Sequence, residues 1–359
     1  MDIPAEISFI QTNCEKLIEN SKVITAISSL IRIDLTYTDY KKLSVCFRYP
    51  EKYPDNSILI ELKSKTLSPK LLQCLTTMGD LKAKEYLGKP QIIHVTSFLA
   101  TYLTENSLCV VYDEIANLKK LLADTSGSEI KLKQKTSCVS LCASGGKYFF
   151  KTKVTVPKLY PAEGVSWNNF ESNLPVVLVR FLNGQAKEIS RKCVEPPLNP
   201  PKGAPPFTVQ PSLYKTLSFL IEATNDFCIE ICPICLQKCL PENPSDVILN
   251  DNDDMYVERV LCGHVYHQGC LKKYLREPPF VKAGKPCPAL KRHARADTIP
   301  YSMTAAMANQ NKKSKAPSTA CSLPLHHDRW GLSPKLAEAR WANKQARARE
   351  LEEVKDFLQ

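Results

Sequence analysis

The chain has 359 residues, 43% of them hydrophobic and 24% charged, and its formal net charge is +11. This length exceeds one ordinary core and predicts two or three domains with the composition of soluble globular proteins. No apolar run approaches the roughly 18 residues of a membrane span, and the acidic, amphipathic segment 1–20 is unlike a secretory signal. We therefore expect a cytoplasmic or nuclear protein without a membrane partner.

The positive charge is not arranged like a nucleic-acid surface. Six basic residues and one acidic residue fall within 290–320, a net +5, and the remaining charge is spread along the chain without a basic stripe interleaved with aromatics. Nucleic acid is therefore not expected as the main partner. Fifteen cysteines without a secretory signal do not indicate disulfides. Nine of them lie outside the motif described below and are expected to be small core residues: Cys14, Cys46, Cys74, Cys109, Cys138, Cys142, Cys193, Cys228 and Cys239.

The first part of the chain changes its hydrophobic period. Residues 5–20 place Ile10, Cys14, Leu17 and Ile18 on one helical face. Apolar residues then alternate with polar ones over 31–38, 43–47 and 58–62, which predicts a three-stranded antiparallel meander. The Tyr-Pro pairs in 49–54 indicate an extended crossing, because proline cannot donate to a ladder. Helices are predicted from Ser68-Pro69 and at about 94–105 and 109–123.

This order of helix, meander, Tyr-Pro segment and helices resembles the RWD domain, a relative of the ubiquitin-conjugating fold. The resemblance is carried by the Tyr-Pro pair and assigns an RWD-like domain to 1–123. It implies an α+β fold that docks protein partners or a substrate.

A similar pattern returns further along the chain. Gly145-Gly146 predicts a hairpin turn between strands at 136–143 and 147–156. Tyr160-Pro161 repeats the Tyr-Pro pair, an apolar strand is predicted over 176–181, and Ser212 begins a helix. We interpret 124–226 as a second RWD-like domain.

An active conjugating enzyme is not expected. That family needs a nucleophilic cysteine in a His-Pro-Asn context, and no His-Pro-Asn occurs in the chain. Cys193 has basic neighbours that could lower its pKa, but it has no other feature of a nucleophile. The two domains are therefore expected to dock partners, with no catalytic side chain.

Cysteine and histidine residues then follow one another at spacings that suit two tetrahedral zinc ions. In chain order they are Cys232, Cys235, Cys262, His264, His267, Cys270 and Cys287. The order resembles a cross-brace RING finger, covering about 228–330, in which the first and third ligand pairs share one ion and the second and fourth pairs share the other. The resemblance implies a first site of Cys232, Cys235, His267 and Cys270. It implies a second site of Cys262, His264, Cys287 and one further ligand.

The eighth ligand departs from the family's final Cys-x-x-Cys, because Cys287 is followed by Pro, Ala and Leu. Removing 290–320 would bring Cys321 to the required spacing, and that segment has no periodicity and a composition unlike its flanks. Our hypothesis is that it is an insertion, either a retained intron or a gene-model error, and that Cys321 is the eighth ligand. The alternatives are His293 or His326 in its place, or an incomplete second site.

An RWD pair followed by such a finger resembles the layout of the Fanconi-anaemia-type ubiquitin ligases. RING fingers hold a conjugating enzyme charged with ubiquitin and act by positioning, without a covalent intermediate. The resemblance implies that Ile234, Tyr274 and Pro288 contact the conjugating enzyme. In this chain, Ser322 replaces the basic residue that often follows the last ligand in the family. The alternative is a non-catalytic zinc-binding scaffold for protein interactions.

Two further segments complete the chain. The acidic stretch 251–254 is expected to be a solvated loop, because the rest of a calcium-ligand pattern is missing. Ser333-Pro334 predicts a C-terminal helix over 333–358, which either packs on a domain or docks a partner.

Overall fold

The computed structural model describes residues 3–123, 125, 127–197, 205–260, 262–281, 284–289, 324–325 and 334–357. The chain divides into two compact units. One comprises Met1–Cys142, Lys151–Glu171 and Lys187–Phe219, and the other comprises Ala143–Phe150, Ser172–Ala186 and Leu220–Gln359. Within the described ranges, no helix is long and apolar enough to cross a membrane.

The N-terminal domain packs helices on one antiparallel sheet. Its elements are α1 (Ile3–Leu17), β1 (Ser21–Ile27), β2 (Leu30–Thr38), β3 (Lys41–Arg48), β4 (Leu59–Lys63), α2 (Pro69–Lys84) and α3 (Ile92–Glu105). The strands lie in chain order, β1-β2-β3-β4. Residues of α1, the sheet, α2 and α3 form one buried cluster that includes Ile10, Phe47, Leu75 and Leu99.

The predicted meander is present, with two differences. The sheet has a further strand, β1, whose register with β2 is interrupted between Val23 and Thr25, so apolar alternation is weak there. Leu17, predicted on the buried face of the first helix, is 62% exposed. It is the last residue of α1, and the buried position at this end of the helix is taken by Ile18.

A buried carboxylate joins three parts of this domain. The Tyr53 hydroxyl donates to Glu6 Oε2 at 2.6 Å and accepts the Gln91 N–H at 2.9 Å. The Ile92 N–H, in the first turn of α3, donates to Glu6 Oε1 at 3.3 Å. Glu6 and Tyr53 thus satisfy backbone donors at the start of a helix, which have no partner within the helix itself.

We expect Glu6→Gln to change the free energy of unfolding by less than about 1 kcal/mol at neutral pH, and Glu6→Ala to cost about 2–3 kcal/mol. Glutamine keeps an acceptor for the Ile92 N–H, whereas alanine leaves it unsatisfied. Burial raises the pKa of Glu6, against the hydrogen bonds from Tyr53, Ile92 and Gln91, which lower it.

Because the pKa of Glu6 in the folded state lies above its unfolded value, ionisation weakens folding. Wild type should therefore gain stability relative to Glu6→Gln as the pH falls from neutral through the folded-state pKa. Urea unfolding of both variants at several pH values measures this. An equal loss for glutamine and alanine would contradict the role of the acceptor.

A second four-stranded sheet follows, with strand order β5-β6-β7-β8. Its elements are α4 (Tyr112–Ala123), β5 (Glu129–Lys133), β6 (Cys138–Gly145), β7 (Tyr148–Thr155), β8 (Ser166–Ser172), α5 (Val176–Val194) and α6 (Leu213–Ile229). The predicted hairpin is present: Gly146, with φ +56°, lies in the turn between β6 and β7.

The strand predicted over 176–181 is wrong, because this segment is the first part of helix α5. The buried apolar side chains along α5 are Leu178, Leu182, Ala186, Ile189 and Cys193. Their spacing of three and four residues is helical, and it becomes visible only over a window longer than the apolar run itself.

The carboxylate arrangement of the first domain occurs again here. The Tyr160 hydroxyl donates to Glu114 Oε1 at 2.6 Å and accepts the N–H groups of Ser212 and Leu213 at 2.7 and 3.0 Å. Glu114 Oε2 accepts the Tyr214 N–H at 2.8 Å. A glutamate of the preceding helix, a Tyr-Pro tyrosine and the start of a later helix are therefore joined in the same way twice.

Short elements and one long helix make up the remainder. They are β9 (Val257–Arg259), β10 (Val265–His267), α7 (Gln268–Arg276), β11 (Lys285–Pro286), β12 (Pro324–Leu325) and α8 (Pro334–Phe357). Strand β9 pairs with β10, and β11 pairs with β12. Helix α8 covers the segment predicted to be helical.

The cysteines outside the motif are mostly buried, as small core residues would be. Cys74 is exposed, Cys142 and Cys228 are half-buried, and Cys14, Cys46, Cys109, Cys138, Cys193 and Cys239 are buried. Burial of Cys193 fits a packing role.

Candidate metal centre

Four predicted ligands form the first cluster. The ligand atoms of Cys232, Cys235, His267 and Cys270 all lie within 4.8 Å of one another. Cys232 and Cys235 lie on a tight turn after α6, in which the Leu236 N–H donates to the Cys232 carbonyl at 2.8 Å. His267 ends β10 and Cys270 lies in the first turn of α7, so one strand-to-helix junction supplies the other pair.

Three predicted ligands form the second cluster. The ligand atoms of Cys262, His264 and Cys287 also lie within 4.8 Å of one another. Gly263, with φ +94°, makes the turn between β9 and β10 that brings Cys262 and His264 together. Cys287 directly follows β11. The predicted eighth ligand, Cys321, and the alternatives His293 and His326 lie outside the described residues.

Hydrogen bonds orient the imidazole and thiol groups. His267 Nε2 lies 3.1 Å from the Lys238 carbonyl oxygen, which leaves Nδ1 facing Cys235 Sγ at 3.3 Å. The Tyr266 hydroxyl lies 2.8 Å from Cys287 Sγ. Partners of this kind fix the tautomer and the direction of a metal ligand.

The pKa values of the side chains in the first cluster are shifted in different directions. Burial alone would raise the pKa of the Cys232 thiol, but hydrogen bonds from His267 and backbone N–H groups lower it below its usual range. The same hydrogen bond raises the pKa of His267. Burial and the neighbouring sulfurs raise the pKa of Cys270. A metal ion binding here would displace the remaining protons, because its ligands must be deprotonated.

The donor atoms fit zinc. Three thiols and one imidazole in a closed group match a structural zinc site, and the second cluster offers two thiols and one imidazole among the described residues. His264 Nε2 is buried without a hydrogen-bond partner in the described parts of the chain, and Nδ1 of the same ring faces the sulfurs of Cys262 and Cys287. Zinc binding itself stays a prediction.

The buried thiol of Cys239 lies near the first cluster but is not part of it. Its Sγ donates to the Val265 carbonyl at 3.5 Å. Burial, with the sulfurs of Cys232 and Cys235 nearby, raises its pKa. Cys239 therefore packs beneath the cluster as a neutral thiol.

The residues predicted to contact a conjugating enzyme are only partly accessible. Pro288 is exposed and Ile234 is half-buried. The Tyr274 hydroxyl donates to the Pro286 carbonyl at 2.8 Å, and Lys285 Nζ lies 4.2 Å from the centre of the Tyr274 ring. Two exposed apolar side chains flank the first turn, Ile231 at 51% and Leu236 at 72%.

Sequence reasoning missed three supporting groups: the Tyr266 hydroxyl, the Lys238 carbonyl and Arg259. The Arg259 guanidinium lies 3.3 Å from the ring centre of Phe181 in α5, and burial lowers its pKa to about 10. A tyrosine directly before a predicted ligand was the one available signal, because the other two contacts depend on the tertiary fold.

We expect Tyr266→Phe to weaken zinc binding at the second cluster by about 10-fold to 100-fold, because the Cys287 sulfur loses a hydrogen-bond donor. Competition with a chromophoric chelator measures this. The control is Tyr256→Phe, a nearby tyrosine with no hydrogen bond from its hydroxyl in the described residues. Equal affinities for Tyr266→Phe and wild type would show that the hydroxyl does not support the site.

Comparison with known proteins identifies the N-terminal domain. Its helix, antiparallel meander and following helices define the class of domains related to the ubiquitin-conjugating fold. Residues 5–103 match the RWD domain family, so this is an RWD domain, and such domains mediate protein interactions. The match covers just over a quarter of the chain. No curated protein matches the chain.

Proposed function

We propose that the segment from Cys232 to Cys321 is a cross-brace zinc finger of the RING type that binds two zinc ions. The observation that carries the proposal is the interleaving of the clusters. The first cluster takes ligands before and after Cys262 and His264, and the second is closed by Cys287, beyond the first. Consecutive single fingers would instead complete one cluster before starting the next. Bound zinc supplies folding free energy to a segment with little core of its own.

The pairing of β11 with β12 supports Cys321 as the eighth ligand. Pro286 pairs with Pro324, so the chain returns to the residue before Cys287 after the intervening segment. Cys321 is three residues before Pro324, a span of at most about 11 Å. A span of this length is compatible with Cys321 as the fourth ligand of the second cluster.

We propose that residues 124–226, together with the preceding helix α4, form a second RWD-like domain. The support is the repeated arrangement of Glu114, Tyr160 and the start of α6, which matches that of Glu6, Tyr53 and the start of α3. A four-stranded antiparallel meander precedes the final helix in both cases.

The function best supported is that of a RING-type ubiquitin ligase. RWD domains interact with ubiquitin-conjugating enzymes and other proteins, so a chain that joins one to a zinc finger can hold a substrate and a conjugating enzyme together. Ile234, Tyr274 and Pro288 would contact that enzyme, and ubiquitin would pass from it to the substrate by positioning alone.

One observation favours the alternative, a zinc-binding scaffold without ligase activity. The Tyr274 ring is covered on one side by Lys285, and its hydroxyl is occupied by a backbone carbonyl. This aromatic is therefore less available to a conjugating enzyme than an uncovered one.

A transfer assay separates the two functions. Zinc-loaded protein, also in a form lacking 290–320, is incubated with ubiquitin, activating enzyme and a panel of conjugating enzymes. A ligase should form chains, and Ile234→Ala should reduce their rate at least about tenfold. The control Leu249→Ala removes an apolar side chain that is 78% exposed in the same segment and should have little effect. If no ubiquitin chains form with any conjugating enzyme of the panel, the result would favour the scaffold.

A further inference from the structure

A trough crosses the outer face of the second sheet. Its volume is about 670 Å³, and its lining includes Lys131, Ser140, Cys142, Lys151, Lys153 and Phe170. The alternate residues of β6, such as Val139 and Leu141, are buried on the opposite face.

The shape of the trough follows from the sequence of three strands. The residues of β6 on this face are small: Ser140 and Cys142 are half-buried, and Cys138 is buried. The exposed positions of β5 and β7, on either side, are Glu129, Lys131, Lys133, Lys151, Lys153 and Thr155, so four of the six are long lysines. Lys131 lies opposite Ser140, and Lys133 lies opposite Cys138. Strands β5 and β7 are about 10 Å apart across β6. Because the side chains of β6 are short, the trough between the lysines is as wide as one extended peptide chain.

The charge of this face is not balanced. Its four lysines are Lys131, Lys133, Lys151 and Lys153, and its two acids are Glu129 and Glu171. Lys131 pairs with Glu129 at 3.3 Å, and Lys151 pairs with Glu171 at 3.6 Å. Lys133 and Lys153 make no ion pair with any described residue, so positive charge is concentrated away from the two glutamates.

The first sheet provides an internal comparison. Its outer face also carries basic side chains, of which Lys22 makes no ion pair with any described residue and the others are paired. Arg32 binds Asp34 with two hydrogen bonds, and both Arg48 and Lys63 pair with Glu61. Both sheets therefore carry an excess of positive charge, and what distinguishes the second sheet is the trough between its lysines.

We propose that this trough binds an extended acidic peptide segment of a partner protein. Side chains two residues apart on a strand are about 6.7 Å apart, so carboxylates at alternate positions of such a peptide would face Lys131 and Lys133 on one wall and Lys153 on the other. Phe170, 44% exposed, offers an apolar contact at the end near the glutamates. A nucleic acid fits less well, because its phosphates would continue past Glu129 and Glu171.

The inference concerns a partner site of the second sheet and does not depend on the ligase activity. The probe is a fluorescent decapeptide in which glutamate alternates with serine and the last two residues are leucine. We expect saturable binding to the full-length, zinc-loaded protein by anisotropy. The same peptide with glutamine in place of glutamate should bind at least about tenfold more weakly, which corresponds to about 1.4 kcal/mol.

Matched variants locate the site. The double variant Lys131→Glu and Lys153→Glu should weaken binding at least about tenfold. The double variant Lys42→Glu and Lys63→Glu changes the net charge equally on the first sheet and should leave binding within about twofold. Ser140→Met fills the trough without changing its charge and should also weaken peptide binding. Thermal melting checks that each variant is folded.

Four outcomes would overturn the inference. They are no saturable binding by wild type, equal binding of the glutamine peptide, equal loss in the Lys42 and Lys63 variant, and tighter binding of a single-stranded oligonucleotide that displaces the peptide. The last outcome would assign the trough to nucleic acid.

Discussion

Replacing Cys232 by serine is expected to unfold the segment from 230 to 289 and to reduce the bound zinc from two ions to at most one, because the described ligands of both clusters lie in that segment. Cys232 is fully buried and supplies one of four donors to the first cluster. The segment has few buried apolar side chains, among them Leu240, Val265 and Leu271. Metal binding in such modules contributes on the order of 10 kcal/mol to folding, so losing one site removes most of its stability.

Native mass spectrometry counts the zinc ions, and limited proteolysis reports the unfolding. The matched control is Cys239→Ala, which removes the buried thiol beneath the same cluster that is not among its donors. This variant should keep two zinc ions and resist protease. Fewer than one zinc ion per wild-type chain, or equal zinc loss in both variants, would refute the metal centre.

Gly145→Val is expected to lower the free energy of unfolding by about 3 kcal/mol or more. A Cβ atom on Gly145, at the end of β6, would lie 2.7 Å from Cys228 Sγ and 2.9 Å from both the Asn225 Cα and the Thr224 carbonyl oxygen. Two of these atoms belong to the backbone of α6 and cannot move without shifting that helix. The Cys228 thiol also donates to the Gly145 carbonyl at 2.8 Å.

Denaturant unfolding of the full chain measures the effect of Gly145→Val. The control is Gly184→Ala in α5, where an added Cβ meets no heavy atom within 4 Å. Since alanine is a better helix former than glycine, this change should stabilise the protein by up to about 1 kcal/mol. The close packing of β6 on α6 would be disproved if Gly145→Val unfolded at the wild-type denaturant concentration.

The sequence predicted most of the N-terminal domain because its strands alternate cleanly and its Tyr-Pro pair is specific. Strand β1 was missed because a register shift between Val23 and Thr25 breaks the alternation. The run 176–181 was assigned to a strand because five of its six residues are apolar, and four of these are β-branched or aromatic. Its helical period depends on residues up to Cys193, beyond the run.

The pairs of neighbouring ligands followed from their spacing, because a two-residue gap places two ligands on one turn. The grouping of these pairs into two clusters followed from the resemblance to a RING finger. The groups that hold them could not be found in the same way. The Lys238 carbonyl faces His267 only after the chain has folded back through β9 and β10. Arg259 reaches Phe181, which is 78 residues earlier in the chain.

The pairing of β11 with β12 has a practical consequence. The two strands pair on either side of the segment between Ala289 and Cys321. A longer segment costs little, because the entropy of loop closure grows only with the logarithm of the number of residues. A fluorescent reporter or an affinity handle could therefore replace that segment in living cells. Natural isoforms that differ only in this segment would keep the same pair of strands.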